Sequence, residues 1–219
     1  MCEAIGTTYP LALFNLVFKY FAFTFTSMVK EKVLISFDLS TTVIGICIQN
    51  YSTKEIIKLY YHNFINKIMI DKAMELQDLV ENLFSGYINV ECFVIEERLK
   101  AFAAGGTNAE AMGKTAALNF LCQYLVYKRG IKVKELNVNT ARKLAYDGFH
   151  SAARKIKGGK QKEFAFKLVL NELGAEIFPT KVNKSGINKG KTVFLEEAKD
   201  MADAYILSKA CFKILSGSL

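Results

Sequence analysis

Four carboxylates in this sequence have the type and spacing expected of a metal site. Asp38 and Glu96 each stand at the end of an apolar run of strand length. Asp200 and Asp203 are three residues apart in a helical pattern, so they share one face of a helix. Buried acids are costly unless they are paired or bound to a cation, and oxygen ligands suit Mg²⁺ or Mn²⁺. The four acids therefore predict a divalent metal site.

Each acid also has a purely structural alternative. Asp38 could cap a turn, Glu96 could be a surface charge, and Asp200 could pair with a lysine. Four incidental acids are the weaker explanation. Small residues at positions 198, 202 and 204 would let the last helix press against the sheet and bring its aspartates towards Asp38.

Apolar periodicity predicts the elements that position these acids. Strands are predicted at 33–39, 42–49 and 55–64 as an antiparallel meander, and at 92–95 and 131–136. Helices are predicted at 72–84, at about 108–128, from an N-cap at Asn139 and Thr140 through Leu144, from the basic turn 155–162 to Leu173, and at about 194–215. A basic loop is expected at 178–192. This order predicts an α/β fold with a mixed sheet covered by helices.

The chain of 219 residues suits a single α/β domain. We expect that domain to span residues 28–219, because Met28 directly precedes the first strand. Residues 1–27 are expected to be an apolar extension outside the fold. A membrane anchor at 9–26 is the alternative, since Lys19 is the only charge in that segment.

The charge of +8 is unevenly distributed. Between Lys128 and Lys191 there are sixteen Lys or Arg residues and five Asp or Glu residues. Such a segment is typical of a phosphate-binding face, although a solvated lysine-rich surface is the alternative. The cysteines have no paired spacing, which indicates a reducing, intracellular compartment such as the cytoplasm or a nucleoid or viral replication site; they are Cys2, Cys47, Cys92, Cys122 and Cys211.

Three motifs resemble those of RuvC-type Holliday-junction resolvases of the RNase H-like superfamily. They are ISFDLSTTVIG at 35–45, VIEE at 94–97 and DMADA at 200–204, in the order of the family. The resemblance covers Met28 to the end and implies an RNase H-like fold, a mixed sheet with an antiparallel meander plus parallel strands, flanked by helices. It implies a metal-dependent endonuclease that resolves four-way junctions in branched DNA. The loops at 102–106 and 178–192 depart from the bacterial pattern and suggest a divergent viral or phage member.

The resemblance also implies roles for single residues. Two Mg²⁺ or Mn²⁺ ions would be held by Asp38, Glu96, Asp200 and Asp203. Glu96 is preferred to Glu97 because it follows Ile95. Lys143 would act on the scissile phosphate, and Lys160 and Lys162 would form a second DNA-binding position. Phe102 could stack on DNA bases or close the core.

A homodimer is implied as well, because a four-way junction has two strands to cut. The helix that contains Phe120, Leu121, Tyr124 and Leu125 is apolar enough to form the interface, or to be buried in a monomer. Other functions compatible with the motifs are a ribonuclease H-type enzyme acting on RNA–DNA hybrids, an actin-like small-molecule kinase, and a non-catalytic DNA-binding protein. The kinase would need a second lobe, for which this chain is too short.

Overall fold

A mixed five-stranded sheet is the centre of the molecule. The computed structural model describes residues 31–97, 109–154, 156, 160–186 and 189–217. The strands lie in the order β3-β2-β1-β4-β5 and are β1 (Val33–Leu39), β2 (Val43–Asn50), β3 (Ile56–Asn63), β4 (Val90–Glu96) and β5 (Val133–Leu136). β2 is antiparallel to β1 and β3, whereas β4 is parallel to β1 and β5. The predicted meander with added parallel strands is confirmed.

Helices flank this sheet, as the sequence predicted. They are α1 (Met69–Gly86), α2 (Ala109–Tyr127), α3 (Val138–Ala145), α4 (Phe149–Arg154), α5 (Gln161–Leu173) and α6 (Glu197–Leu215). Asn137, rather than Asn139 or Thr140, caps α3, because its side chain accepts hydrogen bonds from both of their amides. The short helix α4 was not predicted, since six residues are too few to show a helical period.

Within the segment 178–192, where a basic loop was predicted, the described residues include two short strands. Thr180–Val182 forms β6 and Thr192–Phe194 forms β7, and the two pair in an antiparallel hairpin. Three residues per strand are too few for apolar alternation to reveal them. The backbone N–H of Leu195 donates to the carbonyl of Pro179, so the hairpin leads directly into the start of α6.

Both faces of the sheet are covered, and β1 is buried along its whole length. Leu34 belongs to the core under α6, whereas Ile35 and Phe37 belong to the core under α1 and α2. A strand that is buried on both faces reads as a continuous apolar run, which is the pattern seen in the sequence. Within the described residues, no helix is long and apolar enough to cross a membrane. Residues 1–27 lie outside them.

Gly45 allows α6 to lie directly on the sheet. It pairs with Asp38 across β2 and β1. A Cβ atom placed on Gly45 would be 2.0 Å from the backbone oxygen of Asp200, so no side chain fits there. The hydroxyl of Ser36 donates to the carbonyl of Ala204 at 2.7 Å and ties the same helix to β1. The predicted close approach of the last helix is confirmed.

Candidate active site

Asp38 and Glu96 lie side by side at the ends of two parallel strands. Phe37 pairs with Ile95, so the next residue of each strand is an acid. Glu96 faces α6, because Val94, two residues earlier, belongs to the core beneath that helix. The two side chains are close enough to interact: burial is the main cause of the raised pKa of Asp38, and the charge of Glu96 raises it further.

A hydrogen bond from α2 holds the backbone of Glu96 in place. The side-chain amide of Asn119 on α2 donates to the carbonyl of Glu96 at 2.8 Å. Glu97 comes after the end of β4, and its backbone N–H donates to the carbonyl of Leu136 at 2.9 Å. Glu96 is therefore the member of this acidic pair that meets Asp38.

Lys162, near the start of α5, brings three aspartates together. Its Nζ lies 2.5 Å from Oδ1 of Asp200, 3.6 Å from Oδ2 of Asp203 and 3.8 Å from Oδ2 of Asp38. Asp200 and Asp203 are on α6, and Asp38 is on β1, so the lysine joins the helix to the sheet. Its side chain is 41% exposed, so this ammonium lies at the opening of the site.

Arg142, on α3, forms a buried ion pair with Asp203. Its Nε donates to Oδ1 at 3.1 Å, and its Nη2 donates to Oδ1 at 2.9 Å and to Oδ2 at 2.7 Å. The side chains are only 6% and 4% exposed. The Nη1 group of Arg142 donates to Asn139 at 3.4 Å. Sequence reasoning missed this residue and chose its neighbour Lys143, although an arginine suits a buried carboxylate better than a lysine does.

The electrostatics of the site favour additional positive charge. Burial raises the pKa of Asp38 well above its ordinary value, and the charges of Glu96 and Asp203 raise it further. Burial also raises the pKa values of Glu96 and Asp200. Burial opposes the charge on Lys162, but the nearby aspartates outweigh that effect and raise its pKa. The acids are therefore hard to ionise together without a further cation.

The donor set fits Mg²⁺ or Mn²⁺, although the oxygens are not gathered around one point. Over the part of the chain that is described, no group of three or more His, Cys, Asp or Glu side chains is arranged for a metal ion. Asp203 is instead paired with Arg142, and Asp200 with Lys162. Carboxylate oxygens are the ligands these cations prefer, and an ammonium within 4 Å of three aspartates marks a place that holds positive charge.

The remaining predicted site residues lie farther from the acids or outside the described chain. Lys143 is exposed and forms no ion pair with the four acids. Lys160 is the exposed N-cap residue of α5, two positions before Lys162. Phe102 lies outside the described residues. The structure thus brings Asp38, Glu96, Asp200, Asp203 and Lys162 together.

Further lysines lie on the hairpin that leads into α6. The β6–β7 hairpin carries exposed basic residues directly before α6, and these are Lys181, Lys184, Lys189 and Lys191. Lys181 and Lys162 both lie close enough to Glu196 to help lower its pKa, although the hydrogen bond from Lys199 has the largest effect. Lys181 therefore places positive charge near the start of α6, the helix that carries Asp200 and Asp203.

The strand order and the helices on both faces define an RNase H-like fold. No protein-family model and no curated protein sequence matches this chain. Solved structures do match it. One is Thermus thermophilus RuvC in complex with a Holliday junction substrate, with a TM-score of 0.57 and 12% identity over 85% of this chain and 97% of that chain.

Two further structures extend this comparison. Thermus thermophilus RuvC matches with a TM-score of 0.53 and 12% identity over 84% of this chain and 96% of that chain. The yeast mitochondrial Holliday junction resolvase Ydc2 matches with a TM-score of 0.47 and 13% identity over 84% of this chain and 78% of that chain. The two Thermus structures show that the chain has the RuvC fold, as predicted.

Proposed function

We propose that this protein is a metal-dependent endonuclease that cleaves phosphodiester bonds in branched DNA, with four-way junctions as its main substrate. The observation that carries this proposal is the convergence of Asp38, Glu96, Asp200 and Asp203 at the ends of β1 and β4 under the start of α6. Asp203 is paired with Arg142 and Asp200 with Lys162, whereas Asp38 is buried beside Glu96 and has a basic group only at 3.8 Å. This excess of buried carboxylate, on a fold like that of RuvC, supports a metal-dependent nuclease.

Asp38, Glu96, Asp200 and Asp203 would hold the metal, as two Mg²⁺ or Mn²⁺ ions. When bound, the metal would lower the pKa of a water molecule and stabilise charge on the phosphate and the leaving oxygen. Asp38 is the central residue of the set, because it adjoins Glu96 on one side and the aspartates of α6 on the other. Because burial raises its pKa, a bound cation would favour its ionised form.

Lys162 would bind the phosphate next to the acids. It is half-exposed, it carries three donors, and its raised pKa keeps it charged. We assign Lys143, Lys160 and the lysines of the β6–β7 hairpin to the DNA backbone farther from the cut. Contacts to phosphates position DNA with little reading of its bases, so binding should weaken as salt rises.

A homodimer would place two such sites on one junction, and α2 offers a surface for it. Leu118, Cys122 and Val126 of this helix are buried in the core. Phe120, which is 65% exposed, belongs with Tyr124 and Tyr127 to a stripe on the outer face, at a helical spacing. These side chains line an apolar groove of about 1160 Å³ between α2 and β5. An exposed stripe of aromatic residues is typical of an interface.

The test is to replace each acid by its amide, which keeps the shape and removes the charge. In Mg²⁺, the Asp38→Asn, Glu96→Gln, Asp200→Asn and Asp203→Asn variants should each cleave a labelled four-way junction at least about 100-fold more slowly, because ligands are lost. Junction affinity should persist, since the lysines supply the phosphate contacts. Asp203→Asn also leaves the buried Arg142 without its carboxylate, so the melting temperature of this variant is measured alongside.

Three controls make this test decisive. Glu97→Gln should cleave at nearly the wild-type rate, which also tests the choice of Glu96. A plain duplex and an RNA–DNA hybrid should be cut more slowly than the junction by the wild type, and a preference for the hybrid would instead assign a ribonuclease H-type activity. Cleavage by Asp38→Asn at the wild-type rate would refute the nuclease proposal.

A further inference from the structure

We propose that Arg142 is a positioning residue that sets the orientation of Asp203 for metal binding. This inference rests on the proposed nuclease function and concerns a residue that none of the sequence motifs includes. Arg142 lies on α3, and its guanidinium faces the carboxylate of Asp203 on α6. Arg142 would act through that carboxylate. Its removal should therefore change the position of the Asp203 side chain at the proposed metal site.

The geometry leaves Asp203 one orientation. Two nitrogens of Arg142 donate to the carboxylate, at 2.7–3.1 Å, and one of them reaches both oxygens. The remaining guanidinium nitrogen is held by Asn139 at 3.4 Å, at the start of the same helix. A planar fork that contacts both oxygens prevents the carboxylate from rotating. A lysine could supply the charge but not the fork.

That fixed orientation points one oxygen into the acidic site. Oδ2 of Asp203 accepts from Arg142 at 2.7 Å and also lies 3.6 Å from Nζ of Lys162, the cation among the three aspartates. A carboxylate oxygen has two lone-pair positions, so it can keep the bond from Arg142 and still serve a cation. Arg142 thereby directs Oδ2 of Asp203 towards the place where positive charge is held.

The pairing also limits how strongly the site attracts cations. The charge of Asp203 is offset by Arg142 within a buried environment, where charges interact strongly. Orientation and charge therefore have opposite consequences when Arg142 is lost. Without the guanidinium, Asp203 can rotate away from its productive position, yet its uncompensated charge should attract a metal ion at least as well. Loss of a purely structural residue would instead lower the cleavage rate and the metal affinity together.

The test compares Arg142→Lys, Arg142→Met and the wild type. We expect cleavage at saturating Mg²⁺ to fall about tenfold or more in both variants, because small misplacements of reacting groups are costly. Mn²⁺ binding to the protein without DNA, measured by calorimetry, should be at least as tight in Arg142→Met as in the wild type. Lys213, which pairs with exposed Asp147 at 3.1 Å, provides the matched control. Lys213→Met loses one ion-paired cation and should change neither quantity.

A double variant covers the case in which Arg142→Met does not fold. Removing one partner of a buried ion pair is destabilising, whereas replacing both partners by apolar residues is often neutral. The double variant, Arg142→Met combined with Asp203→Met, should therefore fold. Its cleavage rate should be no higher than that of Arg142→Lys. Cleavage near the wild-type rate in this double variant would show that Asp203 is not used, which overturns the inference.

The remaining outcomes separate this inference from the proposed function. Arg142→Lys with the cleavage rate of the wild type would overturn the positioning role and leave the nuclease proposal intact. A parallel loss of melting temperature, Mn²⁺ affinity and cleavage in Arg142→Met, with full recovery in Arg142→Lys, would show that the residue is structural only. A wild type that neither binds Mn²⁺ nor cleaves DNA would remove the nuclease proposal itself, and this inference with it.

Discussion

The two faces of the central sheet are packed in different ways. Under α6 the contacts are close and partly polar: Gly45 meets the backbone of Asp200, and Ser36 bonds to Ala204. Under α1 and α2 the contacts are made by large apolar side chains, such as Phe37 and Phe93, whose ring centroids lie 4.8 Å apart. All four acids of the candidate site belong to the first face.

This difference indicates a division of roles between the faces. Backbone contacts at van der Waals distance leave little freedom, so α6 holds its aspartates at a fixed height over β1. Large apolar side chains contribute stability in proportion to the area they bury, and they tolerate small rearrangements. We therefore expect changes on the α6 face to affect activity and stability together, and changes on the other face to affect stability alone.

The largest effect should come from Gly45→Ala. The added Cβ would overlap the backbone of Asp200, so α6 must move away from β1. We expect a loss of about 3 kcal/mol or more in the free energy of unfolding and near-complete loss of junction cleavage. Gly86→Ala is the matched control, because nothing lies within 4 Å of that Cβ position. Denaturant unfolding and cleavage assays on both variants would test this. An active Gly45→Ala protein of normal stability would contradict the close packing.

A cavity on the opposite face should lower stability by a similar amount and spare the chemistry. Leu76 of α1 is fully buried in the core under α1 and α2. Leu76→Ala should cost about 2–5 kcal/mol of unfolding free energy. Cleavage per folded molecule, measured well below the melting temperature, should match the wild type. A reduced rate in folded Leu76→Ala protein would show that the two faces are coupled.

A smaller effect is expected from pH in the metal-free protein. Burial and the charges of Glu96 and Asp203 raise the pKa of Asp38 in the folded state. As pH rises above the ordinary pKa of an aspartate, the unfolded chain ionises first, so this residue makes folding less favourable. Asp38→Asn should therefore gain stability relative to the wild type between pH 4 and pH 7, and Mg²⁺ should reduce the gain. Equal pH profiles for the two proteins, measured by chemical denaturation, would argue against the raised pKa.

The smallest effect on monomer stability should come from the outer face of α2. Replacing Phe120 and Tyr124 by serine should change the unfolding free energy by less than about 0.5 kcal/mol per site, because both are exposed. The same change should abolish dimers in sedimentation equilibrium if this stripe forms the interface. Met74→Ser, at an exposed apolar position on α1, is the control and should leave the oligomeric state unchanged.

The sequence predicted the elements well where apolar runs were long. The strand at Val33–Leu39 and the pairing partner around Gly45 were both evident, and the apolar runs before Asp38 and Glu96 indicated acids at the ends of β1 and β4. The basic side chains were harder to assign. Arg142 and Lys143 are adjacent on α3, and only the helix phase in three dimensions shows that the first is buried against Asp203. The position of Lys162 depends on how α5 packs against α6, and no local sequence pattern predicts that packing.

The hydrogen bond from Ser36 to Ala204 joins residues 168 positions apart. The sheet strands are all synthesised before α6, so one apolar face of the sheet stays uncovered while the rest of the chain emerges from the ribosome. Contacts of such long range form late in folding, and the uncovered face is a natural binding surface for chaperones. An unfinished chain contains Asp38 and Glu96 without the aspartates of α6. A chain that stops before Asp203 therefore lacks part of the acid set, and the site is completed when α6 folds onto the sheet.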